Sequence, residues 1–475
     1  MDDSCRRREV LATAGAAVAV GVATGVGSAT ASATTGKRAA SAVASNAQAD
    51  VDTWTQFGAD AGNTGYTAAD GPRSAVTSWT YDTGDTNTGE TATGDEANVF
   101  SSPAVADGTV YVGSTDGTVY ALDAASGDSV WAFETGDAVA SSPAVVDGTV
   151  YVGSNDDTLY AIDAETGEET WGFEAAGNVF SSPTVHDGRV YVGSSGGQLY
   201  AVDADSGEER WATPYGDSVL STPAVADGLV FAGAFNDDRT GAVAAFDADS
   251  GDRQWRFPTE GEVPCPPTVG DGLVYFGDFA GVVYALDAAT GEGVWAVPLE
   301  AQVSAITASP AVVDGSVYVG SRDGNLWSFD AASGDTGWAY ATDDEVISSP
   351  AVTDDTVYVG SRDRRLHAID RGTGLNLFTV DTGGDVVSSP AVVDDAVFVG
   401  SNDSLVYGVA GDGEDGTVTG EDPATGSENG TMPDGTGSGA NGTTSGDGPG
   451  FGAVGALAGL GVGAWRALRS ADGDT

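Results

Sequence analysis

The chain has 475 residues and a formal net charge of −53, from 71 Asp+Glu against 18 Lys+Arg. Its 41% hydrophobic residues suffice for a large core and exclude a wholly disordered chain. The charge excludes a phosphate-binding stripe, and with it nucleic acid as a partner, while two Cys and two His exclude a disulfide framework, a Cys-rich metal site and a histidine cage.

At the N-terminus, residues 1–33 read as an export signal. Arg6-Arg7-Arg8 precedes a mildly apolar stretch from Val10 to about Val26, and Ala29-Thr30-Ala31 and Ala31-Ser32-Ala33 both fit a small-residue cleavage site. The set resembles a Tat signal peptide, which exports proteins already folded. Cys5 lies ahead of the apolar run and leaves with the signal. Residues 34–53 read as a flexible segment. Lys occurs once, at Lys37. Self-repulsion among so many carboxylates weakens a compact fold in dilute buffer. At about 1 M salt the Debye length falls to about 3 Å and screens it. The composition resembles that of proteins from salt-loving archaea and implies a chain built for brine.

Residues 54–410 are expected to form the folded domain, because a block of the form S-S-P-A-V-x-D-G-x-V-Y-V-G-S recurs through them. Its Pro falls at Pro103, Pro143, Pro183, Pro223, Pro267, Pro310, Pro350 and Pro390, and a Gly follows ten residues after each. Next comes A-[LIV]-D-A-x-[ST]-G-[DE], as in Ala121–Asp128, and then an aromatic residue eight after the Asp: Trp131, Trp171, Trp211, Trp255, Trp295, Trp338 or Phe378. Each unit reads as four short strands, A to D, parted by turn signals. In the first unit strand A is about Val99–Val105, B is Thr109–Gly113, C is Thr118–Asp123, and D carries Trp131. Four-stranded units of about 40 residues, repeated radially, are propeller blades. The last unit lacks a strand D, and Val76–Tyr81, with Trp79, matches the missing one. The prediction is an all-β, eight-bladed propeller of four-stranded blades, closed by an N-terminal strand pairing with the last blade. Closure hides the edges an open stack would expose.

Residues 411–448 are Gly, Ser, Thr, Asp and Glu with almost nothing apolar, a flexible linker. Glycosylation sequons start at Asn429 and Asn441 in this linker and at Asn402 on a loop of the last unit. Residues 449–475 open with Pro449-Gly450-Phe451, continue apolar to Trp465, and carry Arg466 and Arg469. The apolar run is short for a permanent span of about 20 residues. The layout resembles the PGF-CTERM sorting signal of archaeal surface proteins, which implies archaeosortase cleavage and lipid attachment at the cell surface. An acidic tail, Ala471–Thr475, departs from that pattern.

The segment A-x-D-x-x-x-G-x-x-x-W, with Ala121, Asp123, Gly127 and Trp131, resembles the tryptophan-docking motif of quinoprotein alcohol dehydrogenases and related PQQ-like repeat propellers. The resemblance implies that Trp79, Trp131, Trp171, Trp211, Trp255, Trp295 and Trp338 pack between blades as a girdle. Asp123 and its repeats are expected to bind turn amides. The enzymes of that family use a vicinal Cys pair, a Ca²⁺ held by Glu and Asn, an Asp base and basic groups for the cofactor PQQ. Cys265 is the one Cys expected after signal removal, replaces a Ser of the repeat, and reads as a buried small residue. No C-x-x-C-H is present for a cytochrome. His186 and His367 stand apart, with no catalytic companions in sequence. No catalytic or metal-binding residue and no cofactor is therefore expected, and PQQ or Ca²⁺ oxidation chemistry is an alternative.

Strand alternation puts the D–A and B–C loops on one rim and the A–B and C–D loops on the other. The second rim is monotonous, whereas the first carries the irregular spacings: 24 residues from Trp79 to Pro103, an insertion around Ala234–Gly241, and a lengthened Trp295–Pro310 interval. Variable loops on a constant scaffold mark a binding face. Two residues after the repeat Gly, successive units carry Phe235, Phe279, Arg322 and Arg362, with Arg364 and Arg365 close by. These six are the candidate ligand-binding residues, for a carboxylate, sulfate or anionic glycan. The competing reading pairs these Arg with neighbouring Asp, including Asp323 and Asp363. Together these features give an exported, surface-anchored, monomeric, non-enzymatic module for an envelope protein or glycan, tied to the membrane through its C-terminal anchor. A scaffold resembling BamB of outer-membrane assembly is a further alternative.

Overall fold

The computed structural model of the protein describes residues 53–84, 98–236, 238–299 and 305–411. The expected signal peptide, linker, sequons at Asn429 and Asn441, and Pro449-Gly450-Phe451 lie outside these residues.

The described chain forms eight four-stranded antiparallel sheets. In blade 1 the strands are A (Ala104–Ala106), B (Thr109–Gly113), C (Thr118–Asp123) and D (Ser129–Glu134). Asp107 (φ 49°) and Gly108 (φ 73°) turn the chain between A and B. Positive φ at both central residues is the hairpin geometry whose twist matches the strands. A bulge in the C–D pairing, where Ala121 faces Trp131 but Leu122 faces Ser129, rotates the indole out of the ladder and toward the next blade.

Blade 8 takes A (Ala391–Val393), B (Ala396–Gly400) and C (Leu405–Gly411) from the end of the domain and D (Ala75–Asp82) from its start. Trp79 pairs with Gly408, as the recurring register demands, with the same bulge beside it. The ring is therefore closed by a strand from the opposite end of the domain. The last strand reaches Gly411, one residue beyond the boundary expected from sequence.

Strand A is much shorter than expected. Val99–Pro103 belongs to no strand. Pro103 has no N–H to give, and the two Ser before it bind elsewhere. Ser101 Oγ accepts the N–H of Gly113 (3.0 Å), while Ser102 Oγ accepts the N–H of Ser389 in blade 8 (2.9 Å). The second bond recurs from Ser102 N to Ser142 Oγ and from Ser142 N to Ser182 Oγ, both 2.9 Å. These hydroxyls form a belt from blade to blade around the axis. It skips the Thr222–Pro266 stretch, where Pro266 has no N–H.

Apolar clusters sit between blades rather than within them. One joins Tyr151 and Leu159 of blade 2 to Val185 and Val190 of blade 3, and another spans blades 7, 8 and 1. The girdle adds a repeated interblade bond. Trp79 Nε1 donates to Ala124 O, Trp131 to Ala164 O, Trp171 to Ala204 O and Trp211 to Ala248 O, at 2.9–3.0 Å. Trp255, Trp295 and Trp338 repeat it on Ala288, Ala331 and Arg371. Each indole lies on the Gly of the next blade's C–D turn. A Cβ on Gly127 would stand 2.6 Å from the Trp79 ring. Asp123 Oδ1 accepts the Ala125 and Ser126 amides and the Ser126 hydroxyl, and these bonds hold its pKa below the ordinary carboxylate value.

The sequence pattern did not reveal the segment ahead of Arg73. The inner edge of every strand A faces the axis, and residues 54–71 pair with those edges one blade after another. Trp54 exchanges both backbone bonds with Val105 of blade 1 (2.8 Å each). The amides of Val145, Val225, Val269, Val312 and Val352 then donate to Thr55, Ala61, Gly62, Thr64 and Gly65 carbonyls, and Val185 N donates to Gln56 Oε1. Gly71 N reaches Asp394 O of blade 8. This strap lies across the A–B end of the axis.

Candidate functional site

The strap occupies one end of the axis, and the D–A/B–C face lies at the other. The face is built in rings. The first residue of each B–C turn, two after the repeat Gly, donates its backbone N–H to the adjacent D–A loop in all eight blades. Thr115 reaches Asn98 O, Asn155 reaches Ala138 O, Ser195 reaches Asn178 O and Phe235 reaches Ser218 O. Phe279, Arg322, Arg362 and Asn402 bind Glu262, Ala305, Glu345 and Asp385 in the same way. The backbone is constant there, and the side chains differ by arc.

Phe235 and Phe279 meet edge-to-face with ring centroids 6.2 Å apart, and Phe279 is 38% exposed. The structure brings these two candidate residues into contact. Arg362 lies between two carboxylates, Nε on Asp385 at 3.0 Å and Nη1 on Glu345 at 3.1 Å. Arg365 spans Asp381 (3.0 Å) and Asp343 (2.9 Å). Arg364 takes the positive-φ position of its turn, φ 68°. Arg322 has weaker support, with Nε 4.0 Å from Glu345 and without a hydrogen-bond partner.

Arg362 and Arg365 pair with neighbouring carboxylates, as the competing reading has it, but Asp323 and Asp363 are not their hydrogen-bonded partners. Asp323 accepts Trp327 Nε1 (3.1 Å), and Asp363 is paired with His367 Nε2 (3.0 Å), both sites being continuations of one device. In blades 1, 2 and 8 a Tyr hydroxyl at the same place binds the turn Asp: Tyr120 to Asp116, Tyr160 to Asp156 and Tyr407 to Asp403, at 2.6–2.7 Å. His367 is a donor substituted for that Tyr, 3% exposed, with Nδ1 3.0 Å from Tyr340 Oη. The bond to His367 helps to hold Asp363 below the usual carboxylate range against the opposing effect of burial. Asn402 is half-buried, and its Oδ1 has no hydrogen-bond partner.

Inside these rings, three residues before each repeat Pro, stand Phe100, Ala140, Phe180, Leu220, Pro264, Thr307, Ile347 and Val387. Phe100 is 37% exposed and Phe180 40%. Val99, next to Phe100, is fully buried and lies close to Gly400 of blade 8. The sequence reading missed this apolar collar, although the unequal residues at one repeat position signal it.

A cleft of about 850 Å³ lies on the other rim between blades 6 and 7. Arg371 already occupies it, with Nη2 on Asp314 and Nη1 on Asp354 O, both 2.9 Å. It reads as a bridge between blades. Among the described residues the groups for a quinone cofactor are not assembled. Cys265 is wholly buried, donates to Gly277 O (3.1 Å) and accepts Gly277 N–H (3.0 Å) in the Ser role. Burial pushes its thiol up to about 12. Among the described residues no three His, Cys, Asp or Glu side chains converge as metal ligands. The belt hydroxyls are spent on the backbone. The donor set does not fit PQQ with Ca²⁺.

Fold and repeat define a closed propeller of PQQ-like repeats. The family model that matches is PQQ_2, described as outer membrane protein assembly factor BamB, over residues 72–182, 173–264, 239–351 and 343–472. The chain belongs to that family. Among solved structures it is similar to BamB from Moraxella catarrhalis, at 18% identity and TM-score 0.57, covering 71% of this chain and 99% of that one. A europium-containing methanol dehydrogenase aligns at 16% identity and TM-score 0.63, over 76% of this chain and 98% of that one. The quinohemoprotein alcohol dehydrogenase from Comamonas testosteroni aligns at 17% and 0.60, over 76% and 80%. At these identities the likeness is one of fold. No curated protein sequence matches the chain.

Proposed function

We propose that the protein is an exported, surface-anchored, non-enzymatic binding module whose D–A/B–C face holds a protein or glycan of the cell envelope. The observation carrying this reading is the strap. It covers the A–B end of the axis, and the opposite face holds the exposed aromatic residues and the longer loops. In this reading Phe235, Phe279, Arg322 and Arg362, with Arg364 and Arg365 beside them, contribute to the partner surface. The Arg–carboxylate bridges there open to accept a partner's charge at small cost, because exposed ion pairs are individually weak. Export rests on Arg6-Arg7 and anchoring on the C-terminal segment.

A photo-crosslinking side chain at Phe235 tests the reading, with one at Asp128 on the opposite rim as control. In cells grown in their native salt, Phe235 should capture a defined envelope component and Asp128 should not. Equal capture from both rims, or none from Phe235, would retire this face.

A BamB-like assembly scaffold is a second reading, favoured by the family match. It predicts that the captured component is an integral membrane protein.

A further inference from the structure

With 71 Asp+Glu against 18 Lys+Arg, an arginine that lacks a carboxylate partner is an exception in this chain. Among the described residues only Arg239, Arg253, Arg256 and Arg364 form no ion pair. Three of these four belong to blade 4, whose strands are A (Ala224–Ala226), B (Leu229–Phe235), C (Gly241–Asp247) and D (Arg253–Thr259). Arg253 and Arg256 stand on strand D, Arg239 stands on the B–C hairpin, and all three are exposed.

The register places the two strand arginines on one face. Arg256 pairs with Ala244 and Arg253 with Phe246, two residues apart on strand C, and the bulge lies between them. Their Cα atoms are therefore about 7 Å apart, on the face opposite Trp255. Burial pushes the Tyr215 hydroxyl up, and both arginines oppose it, so both charges lie near that ring. The charge of Arg256 also reaches Asp238, whose carboxylate is spent on the hydroxyl and amide of Thr240. Asp252 and Glu260 bound the strand in sequence, and neither forms an ion pair with it. At the place of Arg256 the other seven blades carry only Ala, Gly or Thr, and at that of Arg253 they carry Ser, Thr, Gly, Asn or Glu. The basic flank belongs to blade 4 and not to the repeat.

We infer that this outer flank binds an acidic oligosaccharide, with Arg253 and Arg256 taking its carboxylates or sulfates and Arg239 assisting from the hairpin. The inference goes beyond the reading of the D–A/B–C face, since strand D forms the outer edge of its sheet. A guanidinium offers paired N–H donors in a fixed fork that matches an oxyanion, and such charge-assisted bonds are short and directional. The net charge of the chain does not forbid an anion here. At about 1 M salt the Debye length is about 3 Å, so the distant carboxylates are screened and the groups in contact decide. A sugar chain suits the flank better than a protein does. Protein interfaces centre on buried aromatic and apolar anchors, and strand D of blade 4 exposes no large apolar side chain. Its outer edge instead presents unpaired backbone N–H and C=O groups, which hydroxyls can satisfy.

The test is calorimetric titration of the folded protein in 1 M KCl with hexagalacturonate and with a sulfated hexasaccharide, against neutral cellohexaose and hexaglutamate. At least one of the two acidic sugars should bind, more weakly at 3 M than at 1 M KCl. Arg253→Gln with Arg256→Gln should weaken it tenfold or more, and Arg239→Gln threefold or more. Arg256→Lys keeps the charge but loses the fork and should weaken it threefold or more. Arg210→Gln should change it less than twofold, because Arg210 already holds Asp203. Arg253→Gln alone supplies the readout if the double variant does not fold. Absence of binding by both acidic sugars, equal binding of cellohexaose, or binding that survives loss of Arg253 and Arg256 overturns the inference. Binding of hexaglutamate alone, lost with the two arginines, overturns the sugar as occupant and assigns the flank to an acidic peptide. Failure of the D–A/B–C reading is seen separately, as loss of capture at Phe235.

Discussion

A single indole in this protein does two jobs, covering a Gly of the next blade and donating to a carbonyl one turn away. The two jobs separate by substitution. Trp131→Phe keeps most of the stacking but leaves Ala164 O with only the long Tyr111 hydroxyl bond (3.4 Å) of its two side-chain donors, and should cost about 1 kcal/mol in urea unfolding. Gly127→Ala places a methyl group against the Trp79 ring at φ +74°, and should cost about 1–3 kcal/mol while leaving its own strand pairing intact. Cys265 is a Ser in role, so Cys265→Ser should change stability by less than about 1 kcal/mol. Its thiol is raised from 9.0 to about 12 in the folded state. Such a group contributes stability that is complete below pH 9 and is lost as pH rises toward 12. The Ser variant should lose less stability than the wild type over that window. Tyr160 and Tyr407 are likewise pushed up to about 12 by burial and keep the wild-type curve falling there in both proteins.

Two elements close the ring, and they differ in how far the sequence announces them. The closing strand, Ala75–Asp82, was legible because Trp79 repeats the spacing and neighbours of Trp131 and must satisfy the same docking site. The strap was not. It binds largely through backbone groups, which any residue supplies, with the Gln56 and Asn63 side chains added, and has no period because Gln56 and Ala61 serve neighbouring blades across a four-residue turn. Strand A was read too long for a related reason. Its hydroxyls and β-branched residues look like strand, but they bond sideways to the next blade. The Arg contacts were misassigned because ion pairs across loops depend on relative blade position, which spacing along the chain does not encode. Removal of residues up to Pro72 should leave the blades folded yet lower the thermal midpoint by several degrees. Hydrogen exchange should speed up at Val145, Val225, Val269 and Val312, and should remain slow at Val150 and Val230 in the adjacent strands.

For the molecule as a whole, charge sets the working conditions. With −53 on the chain, dialysis from 2 M KCl to dilute buffer should abolish the folded near-ultraviolet circular dichroism signal, and restoring salt should recover it. A sharp thermal transition retained in dilute buffer would remove brine from the account. The aromatic–arginine arc of this face was partly legible, because Phe235, Phe279, Arg322 and Arg362 share one repeat position. The exposure of Phe100 and Phe180 was not, because it depends on the packing of each neighbouring Val against the adjacent blade.

Blade 8 has a consequence for synthesis. Its outer strand leaves the ribosome first and the other three last, so Trp79 waits, unpaired, while seven blades are made. A chain stopped anywhere short of Leu405 presents a bare strand with an exposed indole, the kind of surface that chaperones and proteases recognise. Completion of the ring is thus a built-in proofreading step: only a chain made through the last strand of blade 8 can bury the strand that closes it.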